Sequence, residues 1–159
     1  MARIRIIAVG KLKENYWQEA QAEYLKRLKP YVHLELVEVG DLPSPDGASI
    51  AQEQQIRERE GAMIQNLLHS KEYLVALDRQ GKELSSLEFA SFLNERALTG
   101  EPLAFIIGGS LGLSDELIKK AQFNWSFSKL TFPHQLFRVM LLEQMYRACK
   151  INRGEPYHK

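Results

Sequence analysis

Short apolar runs alternate along the chain with segments in which apolar residues recur at helical spacing. The run Ala2–Val9 alternates isoleucine with arginine and predicts a first strand. From Asn15, a residue typical of helix N-caps, aromatic and aliphatic residues recur every three or four positions until Pro30, which predicts a helix. A second strand is predicted over Val32–Val39, and a surface loop with two prolines and a glycine follows over 41–47.

The same alternation continues through the middle of the chain. Ser49 and Gln52 have the spacing of a capping box and predict the start of a polar helix. The runs Tyr73–Leu77 and Leu103–Ile107 are apolar without interruption, which is typical of strands buried on both faces. Between them, Ser85–Leu98 has the periodicity of a helix.

The last third of the chain predicts three more elements. We expect Ser114 to cap a short helix that ends near Ala121, Asn124–Ser128 to form a fifth strand, and Pro133 to start a long helix. Helices between buried strands indicate an α/β fold, with a mostly parallel sheet flanked by helices. With 159 residues, 45% of them hydrophobic, the chain fits a single domain over residues 1–159.

Charge is unevenly distributed, although the net charge is only +1. Residues 119–159 carry eight Lys or Arg and two acidic residues, and residues 1–30 carry seven and three. Residues 31–118 therefore hold six basic and fifteen acidic residues. Two basic ends around an acidic middle indicate a localised surface that binds a polyanion.

Several classes of protein are excluded by what the chain lacks. It has no apolar run of about 18 residues and no apolar leader with a cleavage site, so we expect a soluble, cytosolic protein without a membrane partner. Cys149, the one cysteine, cannot form an internal disulfide, and its apolar surroundings favour a buried thiol over a nucleophile. No metal site is expected, because the histidines are scattered without ligand spacing: His33, His69, His134 and His158.

Three segments that leave predicted strands carry residues suited to ligand binding. Ile107–Gly112 is a glycine turn at the sheet edge where α/β proteins place ligands, and the alternative is a simple tight turn before the next helix. Its spacing matches neither a dinucleotide fingerprint nor a P-loop. Leu77–Lys82 is a predicted loop at the same edge, so the two can line one cleft. Ser126–Pro133 alternates hydroxyl and apolar residues that suit an adenine ring, or is an ordinary edge strand ending in a turn.

Motifs across the whole chain resemble those of a known family. The resemblance is to the ribosomal RNA large subunit methyltransferase H family, a branch of the SPOUT methyltransferases, and lies in VGKLKENYW, IIGGSLGL, SFSKLTFPHQLFRVMLLEQMYRA and GEPYHK. It implies a C-terminal trefoil knot that holds S-adenosylmethionine, a homodimer, and methylation of N3 of a pseudouridine in 23S rRNA on the assembled ribosome. It places the cofactor contacts on Leu77, Gly108, Phe127, Ser128, Lys129, Leu130, Thr131 and Phe132.

Candidate catalytic residues follow from the chemistry that this resemblance implies. Removal of a weakly acidic N3 proton is helped by a base or by a neighbouring cation. His158 and Tyr157 are the leading candidates, because the resemblance implies a tail folded over the cofactor pocket, whereas chain ends are otherwise usually frayed. Arg138 and His134 come next, since they lie one turn apart on one helix face, where the alternative is a solvated charge.

Basic residues near the C-terminus are candidate contacts to rRNA phosphates, unless they simply complement the helix dipole. Those in and after the long helix recur at roughly helical spacing, and the whole set is Arg147, Lys150, Arg153 and Lys159. Lys11 and Lys13 are weaker candidates for the same surface.

Two other functions stay open. One is a non-catalytic module that binds the ribosome, and saturable binding of S-adenosylmethionine would argue against it. The other is a nucleotide-dependent α/β enzyme that binds phosphate at the glycine turn, and the missing nucleotide fingerprints argue against it.

Overall fold

Strands and helices alternate along the chain in a computed structural model that describes all residues from Met1 to Lys159. The strands are β1 (Ala2–Val9), β2 (Val32–Val39), β3 (Tyr73–Glu83), β4 (Leu103–Ile107) and β5 (Phe123–Ser126). The helices are α1 (Asn15–Leu28), α2 (Ile50–Leu67), α3 (Ser86–Thr99), α4 (Asp115–Lys120) and α5 (His134–Asn152). The predicted order of elements is confirmed. No helix has both the length and the apolar composition needed to cross a membrane.

The five strands form one sheet in the order β2-β1-β4-β3-β5, and every neighbouring pair is parallel. This confirms the predicted α/β fold with a parallel sheet. In β4, at the centre, all five residues are buried, as the uninterrupted apolar run indicates. Parallel pairing also brings the carboxyl ends of the strands to one edge of the sheet, so the segments that leave them are neighbours.

Helices cover both faces of the sheet, and the alternation of side chains along β1 shows how. Ile4 and Ile6 belong to a core of 18 buried residues that also contains residues of α1, α3 and α5. Ile7 and Val9 point the other way, into a core of 10 buried residues that contains residues of α2 and α4. Successive strand residues face opposite sides, so one strand contributes to two cores.

Serine side chains cap the N-termini of three helices. Ser49 and Ser85 each form a complete capping box, and Ser114 accepts a bond from the backbone N–H of Leu117 at 3.3 Å. The prediction that Asn15 caps α1 is wrong, because Glu14 occupies the cap position without a side-chain bond. Pro133 also lies at the cap position, one residue before α5 begins.

The predicted loop over Leu77–Lys82 is wrong, because β3 continues through it to Glu83. The pairing with β5 is interrupted by a bulge, in which both Leu77 and Lys82 pair with Trp125. Gly81 allows this close approach, since a Cβ there would lie 2.4 Å from the carbonyl oxygen of Asn124. The polar, glycine-containing residues of the bulge are typical of a loop, which explains the error.

Arg138 on α5 is fully buried, so the interpretation of it as a solvated charge is wrong. It is 1% exposed, and its guanidinium donates to the carbonyl oxygen of Gly10 at 2.9 Å and to Glu38 at 2.5 Å. It also lies 3.5 Å from the side-chain oxygen of Gln21. One side chain therefore ties α5 to the ends of β1 and β2 and to α1.

We expect Arg138→Met to destabilise the fold strongly, because it removes a buried charge pair and leaves the carbonyl of Gly10 without this donor. The free energy of unfolding should fall by about 2 to 4 kcal/mol. The fall is limited because Glu38 is partly exposed and can be rehydrated once its partner is gone. Arg59→Met is the matched control, because Arg59 lies exposed on α2 without an ion pair. Urea unfolding measures both, and equal stability of the two variants would contradict an anchoring role for Arg138.

Candidate functional site

A cavity of about 380 Å³ lies at the edge where the parallel strands end. Three segments form most of its lining: 77–80 from the bulge of β3, 107–113 after β4, and 127–132 after β5. The start of α5 closes it with His134 and Phe137. The volume falls in the range of small-molecule sites, about 300–1,000 Å³. The three segments that the sequence singled out therefore meet in one place.

The glycine turn after β4 is both a tight turn and a wall of the cavity. The backbone N–H of Gly112 donates to the carbonyl of Gly109 at 3.0 Å, and Gly112 has a φ of +81°. A Cβ on Gly108 would lie 2.5 Å from the carbonyl carbon of Gly112. Because no real Cβ approaches backbone so closely, residue 108 must be glycine for this turn to close. The turn ends at Ser114, the cap of α4.

Hydrogen bonds join the bulge of β3 to the segment after β5. The hydroxyl of Ser126 donates to the carbonyl oxygens of Arg79 at 2.9 Å and Ser128 at 3.1 Å. Ser128 in turn accepts from the N–H of Leu130 at 3.0 Å, and the guanidinium of Arg79 donates to the hydroxyl of Thr131. These contacts fix two walls of the cavity relative to each other.

Most residues that the resemblance placed at the cofactor line this cavity. Those that do are Leu77, Gly108, Phe127, Ser128, Leu130, Thr131 and Phe132. Lys129 is exposed and is not among the lining residues. Sequence reasoning missed Arg57, Asp115, Ile118 and Phe137. Asp115 could have been predicted, because it follows the cap residue at the end of the glycine turn. Nothing in the sequence around Arg57 on α2 indicates that it lines a site.

His134 lines the cavity, and its surroundings disfavour a positive charge. Burial lowers the pKa of His134 below its ordinary value, and the nearby Arg138 and Lys13 lower it further, against the weaker opposite effect of Asp41. The imidazole is therefore neutral at neutral pH. Arg138 lies one turn further along α5, is buried among β1, β2 and α1, and is not part of the cavity wall.

Tyr157 and His158 pack on α5, so the expectation that sequence alone gives for a frayed end is wrong. The hydroxyl of Tyr157 donates to Glu143 at 3.0 Å, and its ring lies 4.8 Å below the guanidinium of Arg147. The Nδ1 atom of His158 lies 3.2 Å from Arg147. Burial, followed by the bond to Glu143, raises the pKa of Tyr157, so its hydroxyl keeps its proton at neutral pH.

The C-terminal tail, which contains Tyr157 and His158, does not line the 380 Å³ cavity. It lies beside a second, more apolar groove of about 440 Å³. Glu143 and Met140 of α5 line this groove, and Phe127 and Phe132 separate it from the first cavity because they line both.

A family model described as Predicted SPOUT methyltransferase matches residues 2–158. The chain belongs to the SPOUT methyltransferase family. A protein of Desulfitobacterium hafniense named Ribosomal RNA large subunit methyltransferase H is 49% identical over 160 residues, which covers 100% of both chains. Proteins with the same name from Carboxydothermus hydrogenoformans and Clostridium kluyveri are each 52% identical over 157 residues, or 98% of this chain and 99% of theirs.

Membership of the SPOUT family implies a trefoil knot near the C-terminus and a methyl-donor cofactor. The lining of the 380 Å³ cavity fits a donor that is apolar at one end and charged at the other. Leu130 and Phe132 offer apolar cover, the glycine turn offers backbone groups at close range, and Asp78 and Asp115 offer negative charge. No three His, Cys, Asp or Glu side chains gather as metal ligands would.

The candidate RNA-binding residues of the tail are largely engaged within the protein. Arg147 binds Glu143 at 2.6 Å, and Lys150 binds Glu155 at 2.6 Å. Arg153 donates to the carbonyl of Pro30 at 3.1 Å, and its guanidinium lies 4.4 Å from the ring centre of Tyr31. Lys159, by contrast, is exposed, as are Lys11 and Lys13 near the start of the chain.

The lowered pKa of His134 predicts a pH dependence of stability with a defined sign. As the pH falls through the ordinary value of 6.5, the unfolded chain binds a proton before the folded chain does, so the fold loses stability. We expect His134→Gln to lose less of its thermal midpoint than the wild type between about pH 7.5 and about pH 5.5.

The matched control for this prediction is His33→Gln, which changes an exposed histidine of β2. It should follow the wild type across the same pH range in a thermal scan. An equal loss in the wild type and in His134→Gln would show that His134 is not held in a site that disfavours its charge.

Proposed function

We propose that the protein transfers a methyl group from S-adenosylmethionine to ribosomal RNA of the large subunit. The observation that carries the proposal is the cavity at the carboxyl edge of the sheet, formed by three segments in a chain of the SPOUT methyltransferase family. The relatives named Ribosomal RNA large subunit methyltransferase H support rRNA as the substrate, since they align with this chain from end to end.

The acceptor that we propose is N3 of a pseudouridine in 23S rRNA, modified on the assembled ribosome. The support is that the motifs around Gly108, Leu130 and Tyr157 resemble those of the ribosomal RNA large subunit methyltransferase H family. The exposed cations Lys11, Lys13 and Lys159 are suited to rRNA phosphates, because their ammonium groups are not engaged in ion pairs.

S-adenosylmethionine supplies an electrophilic methyl carbon when it is bound, so the protein has to align two reactants and remove a proton. Leu77, Gly108, Ser128, Leu130 and Thr131 would hold the cofactor in the cavity. Leu130 is 68% exposed in the free protein and would gain cover from an adenine ring. The carboxylates of Asp78 and Asp115 suit a positively charged group of the ligand, and the guanidiniums of Arg57 and Arg79 suit a carboxylate.

His134 is our candidate for the group that takes the N3 proton. It lines the cavity, and its lowered pKa keeps the imidazole neutral and able to accept a proton at neutral pH. Tyr157 keeps its proton because its pKa is raised, so it cannot act as the base. Arg138 lies one turn further along α5 and anchors this helix to the carbonyl of Gly10, so it is our candidate for the residue that positions His134.

We propose a homodimer in which the tail of one protomer completes the cavity of its partner. The support is geometric, since Tyr157 and His158 lie outside the cavity of their own chain. The apolar groove beside the tail, with Met140 and Phe132 in its wall, is a surface that a partner would cover.

The deciding experiment is methyl transfer from labelled S-adenosylmethionine to intact ribosomes that lack the modification. We expect label at N3 of one pseudouridine of 23S rRNA, located by mass spectrometry of nuclease fragments. Label at another atom or nucleotide would still show a methyltransferase but would contradict the acceptor that we propose. Ribosome binding without cofactor binding or transfer would favour the alternative, a non-catalytic ribosome-binding module.

Gly108→Ala tests the cavity as the cofactor site. The added Cβ would meet the backbone of Gly112 at 2.5 Å, so the wall of the cavity has to shift. We expect affinity for S-adenosylmethionine to fall more than about tenfold, or about 1.4 kcal/mol, in isothermal titration calorimetry. Gly40→Ala is the control, because a Cβ there meets nothing within 4 Å. Unchanged affinity in Gly108→Ala would contradict this location.

A further inference from the structure

The guanidinium of Arg147 is held at each of its three nitrogens. Nε and Nη2 donate to Oε1 of Glu143 at 3.1 and 2.6 Å, and Nη1 lies 3.2 Å from Nδ1 of His158. The same guanidinium stacks 4.8 Å from the ring centre of Tyr157. These contacts come from α5 and from the tail, so they fix the orientation of the Arg147 guanidinium. They also fix the direction of its Nη1–H donor toward His158.

This contact selects one form of the His158 ring. A guanidinium has only N–H donors and stays protonated in proteins, so Nδ1 has to offer its lone pair. A neutral imidazole with a bare Nδ1 carries its proton on Nε2. The Nε2–H group faces away from Arg147 and is free to donate, but it has no lone pair with which to accept a proton.

We propose that His158 acts in methyl transfer as a hydrogen-bond donor through Nε2–H, not as the base, and that Arg147 is the positioning residue that fixes this tautomer. The inference rests on the proposed function, in which the tail of one protomer serves the cavity of its partner. The target of the donor is a carbonyl oxygen beside N3 of the uracil-type base.

The chemistry of the step calls for such a donor. N3 gives its proton to His134, and the electron pair that remains spreads onto the two neighbouring carbonyl oxygens. N3 then forms its bond to the methyl carbon while the carbon–sulfur bond breaks and its electrons stay on sulfur. A donor aimed at a carbonyl oxygen stabilises the charge that develops before the methyl group arrives.

The tautomer is measured on the full-length protein by the ¹⁵N shifts of the His158 ring in mildly alkaline buffer. We expect the proton on Nε2 in the wild type, and a mixture of tautomers in Arg147→Met, which removes the donor. Arg59→Met, on α2, should leave the wild-type pattern intact. A proton on Nδ1 in the wild type would overturn the proposal, whatever the activity of the enzyme.

Two substitutions at His158 test the role in catalysis. The amide of Gln can donate near the position of Nε2 but cannot take a proton, whereas Ala does neither. We expect His158→Ala to slow methyl transfer about 100-fold or more and His158→Gln to stay within about tenfold of the wild type. Both should bind S-adenosylmethionine with wild-type affinity, because the proposed contact of the Nε2–H group is to the base and not to the cofactor.

Equal slowing in His158→Gln and His158→Ala would overturn the proposal and point to His158 as the base. A wild-type protein that transfers no methyl group to ribosomes would overturn the proposed function instead. In that case the tautomer measurement still decides whether Arg147 fixes the ring of His158, so the two failures are distinguishable.

Discussion

The parallel pairing of β1, β4 and β3 is the constraint on which the functional part of the molecule depends. It brings the carboxyl ends of these strands to one edge, so the glycine turn after β4 and the bulge of β3 become walls of one cavity. Arg138 extends the constraint to α5, since it binds the carbonyl that ends β1 and the carboxylate of Glu38 on β2. The position of α5, and of His134 at its start, therefore depends on contacts made at the sheet edge.

Several cations of the basic C-terminal region form ion pairs within the region itself. Glu143 accepts bonds from Arg147 and Tyr157, and Glu155 accepts bonds from Lys150 and Tyr31. These two acids are the only ones in residues 119–159, and both are occupied. The uneven charge along the chain is thus partly structural. A surface for polyanions is left to the exposed lysines, whereas the paired cations give the tail a defined conformation on α5.

Much of the fold was predictable from the sequence, because apolar runs ended by glycine or proline define buried strands. The bounds of β1, β2 and β4 agree with the pattern to the residue. The bulge of β3 was not predictable, since its residues are polar and exposed and are held by pairing with β5. The burial of Arg138 was hidden for a related reason, because its partners are about 100 or more positions away along the chain. Helical spacing identified the cations of the tail, and the i, i+4 rule allows Glu143 to pair with Arg147. No spacing rule reveals that Glu155, beyond the end of α5, pairs with Lys150.

The environments of His134 and His158 differ and suit these two histidines to the different roles that we propose for them. Burial and two nearby cations lower the pKa of His134, so its imidazole is neutral and has a lone pair, which suits a group that takes a proton. His158 has a guanidinium at one nitrogen, which leaves only a donor at the other. A reaction that creates negative charge while a proton departs is helped by both kinds of group, a base for the proton and a donor for the charge. His134 lines the cavity whereas His158 of the same chain does not, so a single chain does not present both side chains to one base. That separation supports the proposed dimer, in which the tail of each protomer serves the cavity of the other.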